Sequence, residues 1–359
     1  MRGARYFGDL IKPVHDEIFL SWINRGLRSK RSTPFVQSED YINHVGIKDI
    51  DFHLCGVIVN DLSGLLGLSA ENLVRTFLPF SHWLIMPYAN RNVFCEHCLM
   101  EDFYYGRQPS TRISWCYWWF NICPVHLKTL IPINANSASE ALLSILKWTQ
   151  PSSNYAPWPD ASPCDRWRSR SRFTLLLSMA LHFQQWYMTS VMRKKILIGS
   201  KEVHATHREL ESFMGDILAI IGKKRNIPFE DGSLIAQLLD NRSWSSLNVS
   251  LPRHAGCEAF LCLDIGEHPP PVRMAMCGLL GLMLKLPYCM EAWKILRDPR
   301  IDDKVVQWLW RDMLEGGEGL LGNYDWLENR SNGWSVAVKN QFSYLLTPPA
   351  VMCGLNSSR

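Results

Sequence analysis

Apolar residues recur at helical spacing along most of this chain, and strand-like alternation is scarce. In residues 13–27 they follow one face of a helix, and the pattern predicts that Asp16 and Glu17 lie in its first turn, where acidic side chains are favoured. The basic residues 28–34 then predict a loop. Residues 115–122 are aromatic and β-prone, and they predict a strand that leads to Cys123.

Residues 61–78 predict two short helices joined by a tight turn. Gly67 suits the C-terminal end of the first helix, and Ser69 suits the N-cap of the second. This arrangement is typical of a helix-turn-helix, although plain helical hairpins share it. As a DNA reader the second helix would offer only one cation, Arg75, so a scaffolding role is favoured over base reading.

Beyond a linker-like stretch at residues 134–139, the pattern is mostly helical. A second helix-turn-helix is predicted in residues 229–249. The individual helices are predicted at residues 140–148, 173–193, 202–221, 232–240, 272–285, 291–296 and 302–314.

The length of 359 residues suits two or three domains, and 47% apolar residues are enough for well-packed cores. The longest apolar run, residues 274–284, is shorter than the roughly 20 residues of a membrane span, so a buried helix and no membrane contact are expected. Neither a phosphate-binding glycine loop nor a nucleophile elbow is present in the sequence.

Charge is distributed unevenly although the formal net charge is only +4. Residues 166–225 carry 12 Lys and Arg against 4 Asp and Glu, a net charge of +8. Such a block can bind the phosphate backbone of a nucleic acid, or it can be an ordinary solvent-exposed helix face. The candidate nucleic-acid-binding residues are Arg166, Arg168, Arg170, Arg172, Arg193, Lys194 and Lys195.

Two short motifs have the spacing of a structural zinc ribbon. A Cys-x2-Cys pair, Cys95 and Cys98, is followed by a Cys-x2-His pair, Cys123 and His126. Three thiolates and one imidazole suit a single tetrahedral Zn²⁺. The sequence therefore predicts one structural zinc ion and no catalytic residues.

Other ligand sets remain open at this stage. His97 or Cys116 could replace one of the four ligands. A catalytic metal with an open position would need a general base such as Glu96, Glu101 or Asp102, each of which could equally be a solvated loop charge. The 11 cysteines are odd in number, so a disulfide framework is not expected.

The predicted fold is mainly α. An N-terminal helical domain resembling a helix-turn-helix spans residues 1–92, and a small zinc ribbon spans residues 93–133. An all-helical C-terminal domain spans residues 134–359 and includes the basic block at residues 166–225.

The two N-terminal motifs together resemble the TniQ/TnsD family of transposition target-selection proteins. The first motif is Pro13-x3-Glu17-x3-Ser21-Trp22-x2-Arg25. The second is Phe94-Cys95-x2-Cys98-Leu99-x-Glu101-Asp102, then Trp115, then Ile122-Cys123-Pro124-x-His126-x3-Leu130. Residues 128–139 lack the further cysteine cluster that many relatives carry, which argues against a second zinc site.

The resemblance implies a non-catalytic adaptor in the bacterial cytoplasm. A short member of this family is expected to dock, as a homodimer, on a Cascade complex that carries a guide RNA in a CRISPR-associated transposon. It would recruit a TnsC-type AAA+ ATPase, and contact with target DNA is possible. The alternative is a TnsD-like, sequence-specific DNA-binding selector that acts without guide RNA. A metal-dependent nuclease is the least favoured hypothesis.

Overall fold

The chain forms two compact units, Met1–Pro159 and Asp160–Arg359. Most of the described residues are helical, which confirms the predicted fold class. The computed structural model describes residues 7–28, 33–47, 49–148, 172–199, 201–222, 270–296 and 322–346.

The first unit combines short helices with one small two-stranded sheet. Strand β1 (Val93–Phe94) pairs antiparallel with β2 (Ile131–Pro132). Two 3₁₀ turns, Tyr88–Asn90 and Ile113–Cys116, lie between the helices. The helices are α1 (Phe19–Leu27), α2 (Thr33–Val45), α3 (Gly56–Leu66), α4 (Ala70–Phe77), α5 (Glu96–Tyr104) and α6 (Ala138–Trp148).

Helix α1 begins later than its apolar pattern predicts. Its first residue is Phe19, so the placement of Asp16 and Glu17 in the first turn was wrong. The Glu17 carboxylate is instead buried, where it accepts hydrogen bonds from Arg25 Nε at 2.7 Å and Nη2 at 2.8 Å. Ser21 Oγ donates to the same carboxylate at 3.0 Å. A buried charge needs such partners, and this pair supplies them.

The same cluster attaches α1 to a distant part of the chain. The backbone N–H of Ile18 donates to Thr111 O at 3.1 Å, and Thr111 N–H donates to Ser21 Oγ at 3.0 Å. Glu17 also forms a β-bridge with Arg112. The polar residues of the N-terminal motif therefore stabilise a tertiary contact.

A carboxylate from outside α1 caps the start of that helix. Leu20 N–H donates to Asp51 Oδ1 at 2.8 Å. Free N–H groups in the first turn of a helix need an acceptor, and Ile18 at the N-cap position offers no side-chain oxygen. Burial raises the pKa of Asp51 to about 6, while the bond from Leu20 opposes that rise.

Trp22 lies at the centre of the aromatic core of this unit. Its ring is fully buried and makes an edge contact with Phe35 at 4.9 Å between centroids and a tilted contact with Phe77 at 5.1 Å. Its indole N–H donates to Ile11 O at 2.8 Å. Helix α1 carries Gly26 beside Phe35, where a Cβ would lie only 2.3 Å from ring atoms. Helices α1 and α2 can therefore approach closely only because residue 26 is glycine.

Helices α3 and α4 form the predicted pair with the predicted turn. Gly67 ends α3 in the left-handed conformation at φ 64°, and Ser69 Oγ accepts from Asn72 N–H at 3.2 Å. Helix α2 occupies part of the region predicted as a basic loop. No helix was predicted over residues 33–45, because the few apolar positions of α2 follow directly after the basic residues.

The predicted strand at residues 115–122 was wrong. Residues Ile113–Cys116 form a 3₁₀ turn, and only isolated β-bridges at Tyr117 and Ile122 follow. Every residue from Trp115 to Ile122 is buried, so no face alternates between core and solvent. The aromatic run therefore crosses the core as irregular chain and is held by side-chain packing more than by a sheet ladder.

The described part of the second unit contains six α-helices and one hairpin. Strand β3 (Ile196–Ile198) pairs antiparallel with β4 (Lys201–Val203). The predicted helix at residues 202–221 starts only at His207, because β4 takes up the first part of that range. The helices are α7 (Arg172–Arg193), α8 (His207–Gly222), α9 (Pro270–Met283), α10 (Pro287–Leu296), α11 (Gly322–Ser331) and α12 (Val336–Gln341).

Helix α7 packs against α9 and α10 in the core of the second unit. Two glycines on α9 allow the close approach. A Cβ on Gly278 would lie 3.1 Å from Met179 Cβ of α7, and a Cβ on Gly281 would lie 2.7 Å from Cys289 Sγ of α10. A second polar contact fixes the C-terminal helices, because buried Asp216 accepts from Arg330 Nε and Trp334 Nε1, both at 2.8 Å.

Among the described residues, no single helix is both long and apolar enough to cross a membrane. Helix segments Val272–Met283 and Pro287–Ile295 reach that threshold only when taken together, and they are bent by 111°. The predicted helices at 232–240 and 302–314 and the second helix-turn-helix at 229–249 lie outside the described residues.

Replacing Glu17 with Gln leaves the Arg25 guanidinium buried without its counter-charge. Breaking a buried pair in this way costs roughly 3–5 kcal/mol, so we expect a loss of that size in the free energy of unfolding. Urea unfolding followed by tryptophan fluorescence measures it. Asp40→Asn, which removes an exposed carboxylate from α2, is the control. A loss no larger than that of the control would contradict a structural role for the pair.

The raised pKa of Asp51 predicts a specific pH dependence of the free energy of unfolding. Its folded pKa of about 6 lies above the ordinary value of 3.8, so the folded protein binds this proton more tightly than the unfolded chain. Relative to Asp51→Asn, which keeps the oxygen acceptor for Leu20, the wild type should gain up to about 3 kcal/mol as pH falls from about 7 to about 4. Unfolding of both proteins in parallel measures this difference. A constant difference across that pH range would refute the shift.

Candidate metal centre

The first pair of ligands lies at the start of α5. Cys95 is the N-cap residue of this helix and Cys98 lies in its first turn, so their side chains share one side of the helix. Strand β1 ends directly before Cys95. The positive end of a helix also favours thiolates, which are the form that binds metal.

The second pair lies in a tight turn after the aromatic run. Leu127 N–H donates to Cys123 O, and Cys123 N–H donates to Lys128 O, both at 2.8 Å. Leu127 itself adopts φ 53°, which closes the turn around His126. Pairing of β1 with β2 then brings this turn beside the first pair.

The four side chains converge on one point. His126 Nδ1 lies 3.5 Å from Cys95 Sγ, 3.4 Å from Cys98 Sγ and 3.5 Å from Cys123 Sγ. The Cys98 and Cys123 sulfurs are 3.7 Å apart, and all four ligand atoms lie within 4.8 Å of one another.

These distances fit a tetrahedral ion. Metal–sulfur bonds of about 2.3 Å and metal–nitrogen bonds of about 2.0–2.1 Å imply edges of about 3.8 Å between sulfurs and about 3.6 Å between sulfur and nitrogen. The observed separations are close to both values. The four residues can therefore hold one metal ion with every position filled by the protein.

The electrostatics of the cluster also favour a cation. Hydrogen bonds from the Cys95 and Cys98 thiols hold the pKa of Cys123 far below its usual range, at about 2. The same sharing of a proton with Cys123 raises the pKa of Cys95. Cys123 is therefore the thiol of the cluster that most readily loses its proton, and a bound metal would favour loss of the remaining protons.

Glu101 lies behind the histidine ligand. Its Oε1 is 3.0 Å from His126 Nε2, at ion-pair distance, although the two groups do not form a well-aligned hydrogen bond. A carboxylate in this position orients a ligating imidazole and keeps Nδ1 free for the metal. The sequence singled out Glu101 as a motif residue and as a possible general base, and did not reveal its position behind His126, because spacing does not show which atom a side chain faces.

Asp102 has a structural role next to the centre. It is 1% exposed, and it accepts from Ser110 Oγ at 2.8 Å and from Arg112 Nη2 at 3.0 Å. Arg112 also lies over the Trp115 ring at 5.7 Å. Asp102 is therefore committed to holding the segment that contacts α1, and it is not placed as a base for metal-bound water.

Neither alternative ligand joins the cluster. His97 is exposed, with Nδ1 3.5 Å from Glu96 Oε1. Cys116 is buried and donates to Arg112 O at 3.7 Å, and burial raises the pKa of its thiol. Among the described residues, Cys95, Cys98, Cys123 and His126 form the one group with metal-binding geometry.

The predicted nucleic-acid residues fall into two sets. Arg166, Arg168 and Arg170 lie outside the described residues, and Arg172 is the first residue of α7. The other three are exposed and follow one another at the end of α7, where the chain turns into β3. They are Arg193, Lys194 and Lys195.

The first unit is thus a helical domain built around a four-ligand metal cluster. The model of the TniQ family matches residues 10–130, which include α1 to α5 and all four ligands. Residues 10–130 therefore form a TniQ domain, which confirms the resemblance for that part of the chain. This domain associates it with target selection in DNA transposition. No curated protein and no solved structure gives a significant match.

Replacing Cys98 with Ser should release the metal and destabilise the first unit, because binding and local folding are one equilibrium. Metal content per chain and the melting temperature measure the two effects. Cys116→Ser is the matched control, since it changes a nearby buried thiol outside the cluster and should retain the metal. Full metal occupancy in the Cys98 variant would show that the ligand assignment is wrong.

Proposed function

We propose that this protein is a non-catalytic target-site adaptor in DNA transposition, and that its metal is one structural Zn²⁺. The adaptor docks on an RNA-guided Cascade complex and recruits a TnsC-type AAA+ regulator. The match of residues 10–130 to the TniQ family is the observation that carries the proposal. Action as a homodimer in the bacterial cytoplasm belongs to the same proposal.

The donor set supports zinc. Three sulfurs and one imidazole nitrogen at tetrahedral separations are typical of structural zinc sites, and hard oxygen-preferring cations disfavour them. Saturation by four protein ligands leaves no position for a substrate or an activated water. The site then stabilises the domain and takes no part in a reaction.

The surroundings of the centre support a non-catalytic role. Glu101 faces the histidine ligand, and Asp102 pairs with Arg112. Of the three carboxylates considered as a base, these two have structural partners, and the third, Glu96, lies 3.5 Å from His97 Nδ1. A metal-dependent nuclease would need a water-bearing ion beside a free carboxylate.

Helices α3 and α4 favour the second candidate, a DNA-binding selector that acts without guide RNA. They have the capped turn of a helix-turn-helix, and Arg75 on α4 is exposed. Arg75 is again the only cation on α4. Since affinity for DNA depends on neutralising several phosphates with cations, one arginine on this helix ranks the candidate second.

A pull-down of the purified protein with Cascade from the same CRISPR-associated transposon tests the proposal. Binding should require assembled Cascade with its guide RNA, and TnsC-type ATPase should be retained only when the adaptor is present. Cascade without guide RNA is the control. Absence of binding to the loaded complex, together with tight binding to one defined duplex, would replace the first candidate with the second.

A further inference from the structure

Four cations surround the junction between α7 and the hairpin β3–β4. We call Arg193, Lys194, Lys195 and Lys201 the basic elbow. All four are exposed. The acidic residue of the hairpin, Glu202, lies 3.7 Å from Lys195 Nζ in a solvent-exposed pair, which contributes little to stability. The elbow therefore presents a net positive surface.

The backbone of the elbow is fixed by a Schellman motif. Lys195 N–H donates to Ser190 O at 3.2 Å, and Lys194 N–H donates to Val191 O at 3.3 Å. Lys194 occupies the left-handed position of this motif with φ 53°. Glycine is the usual residue there because a Cβ in that conformation is strained.

Three other helices show how this position is usually occupied. Two have glycine there, and the third has a lysine whose side chain makes a stabilising contact. Helices α3 and α5 end with Gly67 and Gly106 at the equivalent position, at φ 64° and 65°. Helix α9 ends with Lys285 at φ 55°, but the Lys285 ammonium lies 3.7 Å from the centre of the Tyr344 ring. Lys285 thus offsets its backbone strain with a cation–π contact.

Lys194 has no comparable compensation. Within the described part of the chain, the side chains of Arg193 and Lys194 make no hydrogen bond, ion pair or ring contact, and both are exposed. A strained position that carries a lysine with no contact of its own points to a role for the charge itself.

The scaffold below the elbow is rigid. Ile196, Ile198 and Val203 are buried beneath the hairpin, and the Trp186 indole donates to Leu197 O. The charges are therefore held on a fixed surface, which reduces the entropy lost when a polyanion binds.

We propose that the basic elbow binds the phosphate backbone of duplex DNA without reading its sequence. This inference rests on the proposed function, since a transposition target selector works on DNA. Lysine ammonium groups are point charges that suit phosphates, and phosphate contacts carry no sequence information. The elbow would then supply non-specific affinity at the insertion site.

Fluorescence anisotropy of the full chain with a labelled duplex of arbitrary sequence, measured across a salt series, tests the proposal. The triple variant Arg193→Ala/Lys194→Ala/Lys195→Ala should bind about tenfold or more weakly at low salt, and its slope of log K against log salt should fall by about 2–3. The control Lys12→Ala/Lys147→Ala/Lys294→Ala removes three exposed cations elsewhere and should change the slope much less.

Lys194→Gly separates charge from folding. Glycine relieves the left-handed strain, so its melting temperature should equal or exceed that of the wild type, while the salt slope should fall by about 1. Lys194→Arg keeps the charge and should retain the wild-type slope. Full DNA affinity in a folded Lys194→Gly protein would overturn the role of this residue.

Three outcomes would overturn the proposal as a whole. They are unchanged duplex binding in the triple variant, an equal loss in the control, and tighter elbow-dependent binding to single-stranded RNA or to phosphatidylserine vesicles than to the duplex. The assay contains no Cascade or ATPase. A negative result in the DNA-binding assay therefore does not contradict docking on Cascade. A negative result in the pull-down does not contradict DNA binding by the basic elbow.

Discussion

The convergence of Cys95, Cys98, Cys123 and His126 on one centre fixes both ends of the chain between the two ligand pairs. That chain contains the aromatic run, which is buried throughout yet forms no regular strand. Irregular chain in a core depends on fixed ends and on side-chain packing, because it lacks a continuous ladder of backbone hydrogen bonds. The cluster of four Cys and His side chains thus determines the path of the aromatic segment, around which the first unit is built.

The polar residues of the two motifs connect the cluster to the N-terminal helices through hydrogen bonds and ion pairs. Asp102 holds Arg112, and the backbone next to Arg112 bonds to the start of α1, where Glu17 and Arg25 form their buried pair. A change at the metal is therefore expected to reach the N-terminal helices through charged contacts that tolerate little displacement. Motif residues that look like surface chemistry in the sequence are mostly structural supports. Exposed positions among the described residues include those of α4 and the basic elbow.

Prediction from the sequence succeeded where the information was local. The convergence of the four candidate ligands followed from spacing, because two side chains across a tight turn share a side. The turn between α3 and α4 followed from Gly67 and Ser69. Prediction from the sequence failed where the interacting residue lies far away along the chain. Asp51 caps α1 from 31 residues away, and the strand predicted at 115–122 was replaced by a 3₁₀ turn inside an aromatic core. The hairpin β3–β4 was missed because each strand has only three residues.

The sequence by itself determined the helical character of this protein, its four candidate metal ligands and its TniQ domain, since periodicity, ligand spacing and motif residues are properties of neighbouring positions. Only the tertiary structure decided what Glu17, Asp51, Glu101 and Asp102 do. A carboxylate can cap a helix, pair with arginine, orient a histidine or act as a base. The choice depends on which group lies within about 3 Å of its oxygens, because hydrogen bonds are lost beyond that distance. That neighbour is set by packing between segments far apart in the chain.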